Sequence, residues 1–469
     1  MKTNTLDFDA QALRERILDL AMRGKLVPQD PNDEPASELV KNNDLKSSDE
    51  KPHDIPDSWE WIVLGSGVKF INGRAYKKSE LLEDSSLTPV LRVGNLFTNS
   101  SWYYSNLNLD PNKYIDNRDL IYAWSASFGP KIWDGGHVIY HYHIWKLILD
   151  QAINKNYLYY FLLDKRNVIG ETDLHGSTMK HITKTNMEHL SFPLPPFLEQ
   201  KRIAAKIAQL FTLLHKIEAS TQQYAELQTL LKSKVLDLAM RGKLVKQDPN
   251  DEPASVLLEE IKTEKAELVK EKKSKKSKPL PPITDEEKPF DIPDSWEWVR
   301  LGNIVSYQNG YAYKSSELVK IRKGLPVIKS QNIMTLKVII KDNNDYVKEP
   351  NEKMLNSKII KGDLLMCLSS QSKNPEPLGK TAIYDLDKPA LLNQRVLKLK
   401  LINHSMTDLI YYFINSSWFH FTVSHRGSGS GQSNLKLGDV MNMPIPVPPL
   451  NEEKHIVNRI EILFKKLSN

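Results

Sequence analysis

Two short stretches of the chain carry residue types that enzymes use in catalysis. NPEPLGKT (Asn374 to Thr381) ends like a nucleotide-binding phosphate loop, but that loop needs a glycine where Asn374 stands. LPPF (Leu194 to Phe197) resembles the tetrapeptide with which adenine methyltransferases hold the target amino group. That tetrapeptide starts with Asn, Asp or Ser, and the leucine here accepts no hydrogen bond. No Gly-rich cofactor loop precedes it, so neither stretch predicts a catalytic site.

Metal chemistry has equally little support. The 12 histidines are scattered, and the pair in HYH (His141, His143) alternates as strand neighbours do, so we interpret it as structural. The single cysteine, Cys367, excludes an internal disulfide and a cysteine-based zinc site and is typical of a reducing cytoplasm. We expect no metal and no cofactor on this chain.

Length and charge limit the classes of protein to which the chain can belong. A chain of 469 residues predicts two or three domains, and 40% hydrophobic residues are typical of a globular protein. No apolar stretch reaches the roughly 18 residues of a membrane span, so we expect a cytoplasmic protein. The net charge is +6, and most of it falls in a Lys-rich stretch, Lys262 to Lys278, which favours a solvated linker. Any nucleic-acid binding must therefore use local patches.

The elements that position any site occur twice. LDLAMRGKLVPQDPNDEPAS (Leu18 to Ser37) returns from Leu236 to Ser255 with one change, Pro28 against Lys246. Three further stretches return in the same order. They are IPDSWEWIVLG and IPDSWEWVRLG, NGRAYKKSEL and NGYAYKSSEL, and FPLPPFLEQKRIAAKI and IPVPPLNEEKHIVNRI. The chain is therefore two copies of one plan.

Each copy predicts the same elements. A helix ends at MRGKLV, where Gly24 or Gly242 takes the left-handed cap. About 140 residues of short strand-like runs follow, among them TPVLRVGNLF, HVIYHYHIWKLIL and ALLNQRVLKLKLI. NYLYYFLLDKR and MTDLIYYFINSS are predicted as equivalent helices, and a Pro-rich stretch closes each domain.

A long helix of about 45 residues is predicted after Pro196, because apolar residues recur every seven positions. They are Ile203, Leu210, Ile217, Tyr224, Leu231 and Leu238. The two ends of the chain together resemble a second copy of this helix. We therefore predict an α+β fold in which two mixed α/β domains are joined by a long antiparallel coiled coil, in a circular, pseudo-two-fold arrangement. The predicted segments are 1–27 (N-terminal helix), 50–197 (first domain), 198–262 (central helix and connector), 263–290 (Lys-rich linker), 291–449 (second domain) and 450–469 (C-terminal helix).

This plan resembles the specificity subunit of type I restriction-modification enzymes over nearly the whole chain. The resemblance rests on IPDSWEW…LG, NG.AYK, the GDLL-type strand, the GST or GSG loop and P.PP…E..RI, in that order and twice. It implies two target-recognition domains that each read one half of a split double-stranded DNA sequence. It also implies helices that set the distance between the halves and dock two adenine methyltransferase subunits, which restriction subunits then join. The chain itself would have no catalytic site, and S-adenosylmethionine, ATP and Mg²⁺ would bind the partner subunits.

Candidate DNA contacts are the polar and aromatic residues of the two domains, since Arg suits guanine, Asn and Gln suit adenine, and Lys and Ser hold phosphates. The first domain offers Arg74, Tyr76, Lys77, Lys78, Arg92, Asn95, Ser125, Ser127, Lys131 and Lys180. The second offers Tyr311, Tyr313, Lys314, Lys329, Gln331, Asn332, Ser370, Gln371, Lys373, Arg395 and Arg426. Aromatic residues at Trp102 to Tyr104 are expected mainly in the core. Candidate framework and partner contacts are Leu20, Arg23, Lys25, Leu238, Arg241, Lys243, Ile203, Leu210 and Leu214.

Three alternatives stay open at this point. The chain could be the specificity subunit of a methylation-only or fused-type restriction system. It could be a fused methyltransferase or nuclease, against which the missing cofactor loop argues. It could be a coiled-coil scaffold that binds only protein, against which the amide-rich and aromatic domains argue.

Overall fold

A computed structural model describes residues 9–98, 100–125, 127–169, 183–271, 279–334, 337–371, 378–426 and 432–467. The chain folds as two compact units, one of residues 4–222 (the N-terminal unit) and one of residues 223–469 with 1–3 (the C-terminal unit). The helices up to the unit boundary are α1 (Ala10–Met22), α2 (Ala36–Asn42), α3 (Leu64–Gly67), α4 (Val93–Phe97), α5 (Lys155–Leu163), α6 (Lys165–Ile169), α7 (Lys184–Glu188) and α8 (Phe197–Met240), which crosses it. The later helices are α9 (Ala254–Lys270), α10 (Leu301–Ile304), α11 (Glu352–Leu355), α12 (Thr407–Ile414), α13 (Ser417–Arg426), α14 (Leu437–Met441) and α15 (Leu450–Leu467).

The strands are short. Those of the N-terminal unit are β1 (Glu60–Val63), β2 (Val68–Asn72), β3 (Thr88–Leu91), β4 (Tyr103–Ser105), β5 (Tyr114–Ile115), β6 (Leu120–Ser125), β7 (Ser127–Ile132), β8 (Val138–Tyr140), β9 (Ile144–Leu149) and β10 (Ser191–Leu194). Those of the C-terminal unit are β11 (Glu297–Arg300), β12 (Val305–Asn309), β13 (Leu325–Ile328), β14 (Ile333–Met334), β15 (Lys337–Val338), β16 (Tyr346–Val347), β17 (Lys358–Ile359), β18 (Leu364–Cys367), β19 (Ser369–Gln371), β20 (Thr381–Ile383), β21 (Ala390–Leu392), β22 (Val396–Leu401), β23 (Gln432–Asn434) and β24 (Pro444–Val447).

The two units share one sheet topology. The N-terminal unit has an antiparallel sheet β2-β9-β6-β7, a mixed sheet β4-β3-β8-β5 and a two-stranded pair β1-β10. The C-terminal unit repeats them as β12-β22-β18-β20, β16-β13-β21-β17 and β11-β24. In each mixed sheet the central pair, β3 with β8 or β13 with β21, is parallel. Two small pairs, β14-β15 and β19-β23, are described in the C-terminal unit in addition. The duplicated sequence thus folds as a duplicated α+β structure.

Most of the predicted helices are confirmed. The long helix α8 has 44 residues, and at 1.5 Å per residue it is about 65 Å long. The equivalent helices predicted from NYLYYFLL and TDLIYYFI are α5 and α12. The helices α1 and α8 end at the predicted place, where Gly24 (φ 66°) and Gly242 (φ 64°) take the left-handed conformation.

The seven-residue seam of α8 is buried near its start, exposed in the middle and half-buried near its end. Ile203, Ile207 and Leu214 are buried near the start. In the middle the seam residues Ile217 and Tyr224 are 46% and 57% exposed. Within each unit, one helix and the segment that follows it contact a second helix in antiparallel order. Arg14 pairs with Glu218 and Gln29 with Glu199 in the N-terminal unit, as Gln228 pairs with Leu467 and Gln247 with Glu452 in the C-terminal unit.

The repeated MRGKLV segment is held against the repeated IPDSWEW segment. A Cβ on Gly24 would overlap the ring of Pro56 and lie 3.2 Å from Trp59 Cζ2. Gly242 meets Pro293 and Trp296 in the same way. The glycine is therefore required twice over, by its backbone conformation and by this close approach.

A buried carboxylate connects three of the repeated segments in each unit. Trp59 Nε1 donates to Glu199 at 2.9 Å, and Gln29 Nε2 donates to its other oxygen at 2.5 Å. Trp296 and Gln247 hold Glu452 at the same two distances. Burial raises the pKa of Glu199, and the hydrogen bonds from Trp59 and Gln29 oppose that rise. We call this arrangement the Trp-Glu-Gln lock.

Two sequence-based interpretations differ from the structure. The tripeptide HYH is not part of a strand, because His141, Tyr142 and His143 form the turn between β8 and β9. The Lys-rich stretch is helical in its first part, since α9 continues to Lys270. After it the chain is fixed by buried Arg300, which donates to the carbonyl oxygens of Pro281 and Pro282 and pairs with Glu287 at 2.7 Å.

The neighbour of the lock carboxylate differs between the units. In the N-terminal unit Gln200 is fully buried, accepts from Asn154 N and donates to the carbonyl oxygens of Ala152 and Pro195. Glu453 takes its place in the C-terminal unit, and its Oε2 has no partner among the described residues. Burial raises the pKa of Glu453 to about 7, Asp408 adds to the rise and Lys454 opposes it. The carboxyl therefore loses its proton within the neutral range.

We expect Glu453→Gln to stabilise the C-terminal unit above neutral pH. The raised pKa of Glu453 gives stability that is complete below about pH 4.5 and is lost as the pH rises through about 7, because the folded state must then bury a carboxylate. The gain at pH 8 should be on the order of 1–3 kcal/mol, and the pH dependence between 5 and 8 should shrink. Urea unfolding of the full chain at several pH values, with hydrogen exchange to assign the unit, measures both.

The reverse exchange, Gln200→Glu, is the matched control. It places a carboxylate against two carbonyl oxygens and should destabilise the N-terminal unit, more at pH 8 than at pH 5. Equal stability of wild type and Glu453→Gln at pH 8 would contradict the buried-carboxylate argument.

Candidate nucleic-acid interface

In the N-terminal unit, four segments meet where the two four-stranded sheets adjoin. The turn between β8 and β9 (residues 141–143, the β8–β9 turn) carries the chain from the mixed sheet to the antiparallel one. His141 N donates to Leu91 O at the end of β3 (2.9 Å), and Tyr142 N donates to Arg74 O in the loop after β2 (3.1 Å). Trp124 N, near the end of β6, donates to His143 O at 3.1 Å. The turn backbone is thus fixed on three sides.

The C-terminal unit builds the same junction with the turn between β21 and β22 (residues 393–395, the β21–β22 turn). Asn393 N donates to Ile328 O at 3.0 Å, Gln394 N to Tyr311 O at 2.9 Å, and Leu368 N to Arg395 O at 2.9 Å. Every backbone bond of the first junction has its counterpart in the second.

The repeated NG.AYK motif makes this junction possible. A Cβ on Gly73 would overlap the carbonyl oxygens of Tyr140 and His141, and one on Gly310 would overlap that of Asn393. Only a residue without a side chain lets the loop after β2 or β12 pass this close to the turn. The candidate residues that follow the glycine are thereby brought to the turn.

The side chains at the N-terminal junction are cationic and aromatic. The guanidinium of Arg92 lies 4.4 Å from the ring centre of Tyr103, and its buried Nε has no hydrogen-bond partner among the described residues. Arg74 pairs with Glu80 at 2.8 Å, and its buried NH1 also has no hydrogen-bond partner among the described residues. Tyr76 stacks with His141 at 6.5 Å. Guanidinium groups suit base edges and phosphates, and the half-buried side chains of Arg74 and Arg92 place two of them at this junction.

The histidines of this turn are held among aromatic rings. Trp124 donates its indole N–H to Tyr142 O at 2.9 Å and lies 4.9 Å from the ring of His143. Burial lowers the pKa of His141 to about 4, and His143 and Arg92 add to the shift. The His141 ring is therefore neutral at pH 7 and offers one donor and one acceptor rather than a charge.

The C-terminal junction carries different chemistry on the same backbone. Lys329 follows β13 as Arg92 follows β3, but it pairs with Asp345 at 2.5 Å, and Lys320 pairs with the same carboxylate at 2.8 Å. Burial by itself raises the pKa of Asp345, and the hydrogen bonds from these lysines outweigh it and lower the value. Arg395 is exposed and donates to Asn434 of β23 at 3.0 Å.

Several predicted contacts are engaged inside their own domain. Asn95 accepts from Arg92 N at 3.1 Å and donates to Ser101 O at 2.8 Å. Asn332 is fully buried, accepts from Lys329 N at 2.9 Å and donates to Asn344 Oδ1 at 2.7 Å. Such bonds position the segments after β3 and β13, and we leave both amides out of the contact surface. Trp102 packs against the core at Trp133, as expected.

The other candidates are distributed as follows. Lys77, Lys78, Lys314 and Gln331 are exposed, and Ser125, Ser127 and Lys131 are half-buried on the β6–β7 hairpin. Tyr311 and Tyr313 lie in the loop that follows β12, where the Tyr313 hydroxyl is 3.1 Å from Ser357 Oγ. Ser370 and Gln371 lie in β19 and Arg426 ends α13, but their side chains are not described. Lys180, Lys373 and both Gly/Ser loops lie outside the described residues.

Sequence reasoning missed the two turns themselves. Tyr142, Asn393 and Gln394 were not among the candidates, because HYH and NQR stand inside runs that are typical of strands. A signal was available. Aligning the copies on NG.AYK and on the following strands places HYH opposite NQR, and all three positions differ.

The framework candidates divide into buried and exposed groups. Arg23 pairs with Asp19 at 2.7 Å and Arg241 with Asp237 at 2.9 Å, each at the C-terminal end of a helix. Leu20, Leu210 and Leu238 are half-buried, whereas Lys25 and Lys243 are exposed. No group of three His, Cys, Asp or Glu side chains within the described ranges has the arrangement of a metal site. None of the helices described is long and apolar enough to cross a membrane.

Comparison with known proteins gives one family. Residues 56–228 and 293–469 match the family profile of the Type I restriction modification DNA specificity domain. The type I restriction enzyme EcoAI specificity subunit of Escherichia coli is 32% identical, and the alignment covers 98% of this chain and 89% of that protein. The EcoEI specificity subunit of the same species is 28% identical over the same shares. One solved structure is also similar, a chain from a study of complex assembly and conformational transition of the type I R-M system. Its TM-score is 0.57 at 17% sequence identity, and the alignment covers 89% of this chain and 93% of the solved chain.

We expect Gly310→Ala to loosen the β21–β22 turn without unfolding the C-terminal unit. The new methyl group must displace the Asn393 carbonyl, so the bond from Gln394 N to Tyr311 O should weaken. Hydrogen exchange at the amides of residues 393–395 should quicken by about tenfold. Gly438→Ala is the control, because a Cβ there meets nothing within 4 Å. Unchanged exchange in the turn would show that the glycine does not serve this junction.

Proposed function

Because the chain belongs to the family of type I restriction-modification DNA specificity subunits, we propose that each of its two units reads one half of a split double-stranded DNA target. One observation supports two separate readers. The two junctions share their backbone hydrogen bonds and their glycine, yet they present different side chains. A common frame with unlike side chains suits two different half-sequences.

The differences lie at positions that the frame makes equivalent. Arg74 stands opposite Tyr311, Arg92 opposite Lys329, and Trp124 opposite Leu368. Arginine favours guanine through a bidentate contact, whereas a lysine that is ion-paired to Asp345 does not offer that geometry. The two half-sequences should therefore be different, and the target asymmetric.

The framework supports the proposal that two methyltransferase subunits dock, one on each copy. Contacts inside each unit explain why the buried residues of the repeat are identical in both copies. These contacts are the packing of the glycines and the Trp-Glu-Gln lock. Other members are identical in both copies although they are exposed and no side-chain hydrogen bond or ion pair with another described residue explains them. They are Lys25 and Lys243, Glu34 and Glu252, and Ser37 and Ser255. Two identical partners would account for two identical exposed surfaces.

Catalysis and its cofactors would reside on the partners. We assign no catalytic site to this chain, and S-adenosylmethionine, ATP and Mg²⁺ would bind the methyltransferase and restriction subunits. The exposed middle of the α8 seam, at Ile217, Tyr224 and Leu231, would be covered in the antiparallel, pseudo-two-fold helical framework of the assembled complex. A cytoplasmic complex is the setting that this proposal requires.

Exchange of one domain tests the two-reader proposal. Replacing residues of about 55 to 195 by the equivalent domain of another family member should change one half of the methylated sequence and leave the other half unchanged. Sequencing of methylated adenines, in cells whose own specificity subunit is deleted, reads out both halves. The matched control replaces about 292 to 448 and should change the opposite half. Simultaneous change of both halves in either chimaera would contradict separate reading.

The helix should act as the ruler between the half-sites. Inserting four residues after Gln223 lengthens α8 by about 6 Å, close to two base pairs. The non-specific gap in the methylated target should grow while both half-sequences stay the same. Gln223→Ala, at the same exposed position, keeps the length and should keep the spacing. Methylation at the original spacing by the lengthened chain would exclude the helix as the ruler.

A further inference from the structure

The β8–β9 and β21–β22 turns combine a fixed backbone with unlike side chains. Around them the two units keep some residues, including Tyr76 and Tyr313 and the glycines that approach the turns, and differ at others, such as Arg92 against Lys329. Within the turns all three positions differ, His-Tyr-His in one unit against Asn-Gln-Arg in the other. Packing alone gives no reason for all three positions to differ on a backbone that is held so closely.

The central side chain of each turn is open to solvent. Tyr142 is 38% exposed, and Gln394 is exposed as well. Neither side chain forms a hydrogen bond with another described residue, although the backbone N–H of each is bonded to the loop after β2 or β12. A polar side chain without an internal partner, on a backbone held by hydrogen bonds, is positioned in advance for an external one.

The residue types match the edges of DNA bases. Asparagine and glutamine offer a donor and an acceptor side by side, which suits adenine in the major groove, and arginine suits guanine. In the N-terminal turn, neutral His141 and the hydroxyl of Tyr142 each donate and accept, and Arg92 lies beside His141. His141, first interpreted as structural, therefore has the hydrogen-bonding groups that a base contact needs.

We propose that residues 141–143 and 393–395 are the base-reading turns of the two units, with Tyr142 and Gln394 as the central contacts. This inference rests on the proposed function, since it assigns particular residues to the reading of each half-site. It also assigns the equivalent turn to both units, with different side chains on each.

The test maps methylated adenines in cells that express the whole restriction-modification complex with Gln394→Ala, Gln394→Glu or Tyr142→Phe. Each change should lower the preference for one base by roughly 10- to 100-fold at a single position. That position should lie in one half-site for both Gln394 variants and in the other half-site for Tyr142→Phe. Gln223→Ala, an exposed glutamine on α8, should leave the whole sequence unchanged.

The outcomes separate this inference from the proposed function. Bipartite methylation that depends on the chain but keeps its full sequence in all three variants would overturn the turn assignment alone. Relaxation in both halves by one variant would also overturn it. Loss of all methylation by both Gln394 variants would count against it, because one reading contact should give discrimination rather than assembly. Wild-type methylation that is not bipartite would instead overturn the proposed function.

Discussion

Each unit depends on one buried carboxylate that connects parts of the chain far apart in sequence. Glu199 sits at the start of α8, Trp59 opens the β-rich domain and Gln29 follows α1, and their side chains meet with the glutamate only 1% exposed. Glu452, Trp296 and Gln247 repeat the arrangement. Breaking either hydrogen bond would leave one oxygen of a buried carboxyl group without its partner, which costs far more than the loss of a surface contact. The lock therefore fixes where the helices leave the domain.

That constraint gives a physical reason for the near-identity of the repeated segments. Gly24 and Gly242 must lack a side chain, the tryptophan must donate, and the glutamine must reach the carboxylate. The proposed partner docking would then need to explain only the exposed residues that remain identical, such as Lys25 and Lys243. Internal packing and the proposed docking would act on different faces of the same short segment. Glu453 shows that the frame tolerates a change beside the lock, at the cost of a carboxyl whose pKa is raised to about 7.

In the two turns, one in each domain, the backbone is kept and the side chains differ. The turns at 141–143 and 393–395 are held by equivalent backbone hydrogen bonds, and the neighbouring glycines leave no space for a side chain between loop and turn. Backbone bonds do not depend on side-chain identity, so the residues on such a turn can change without loss of the fold. This separation lets a duplicated DNA specificity subunit keep one architecture and present two chemically different surfaces.

The sequence by itself determined what local patterns encode. The duplication, the 44-residue helix, the glycine caps and the two equivalent short helices follow from periodicity and from residues near one another in the chain. The family followed from the order of the repeated motifs, and comparison with known proteins agrees.

Only the tertiary structure decided which polar residues are available for contact. Asn332 looked like a base reader and is fully buried, whereas Gln394 stood in a strand-like run and is exposed on a turn. The strands here are two to six residues long, too short for a period to show which face or end they occupy. The junctions bring together residues that are far apart in sequence, such as Arg74 and Tyr142, whose backbone groups are hydrogen-bonded. Sheet topology, rather than proximity in sequence, decides such contacts.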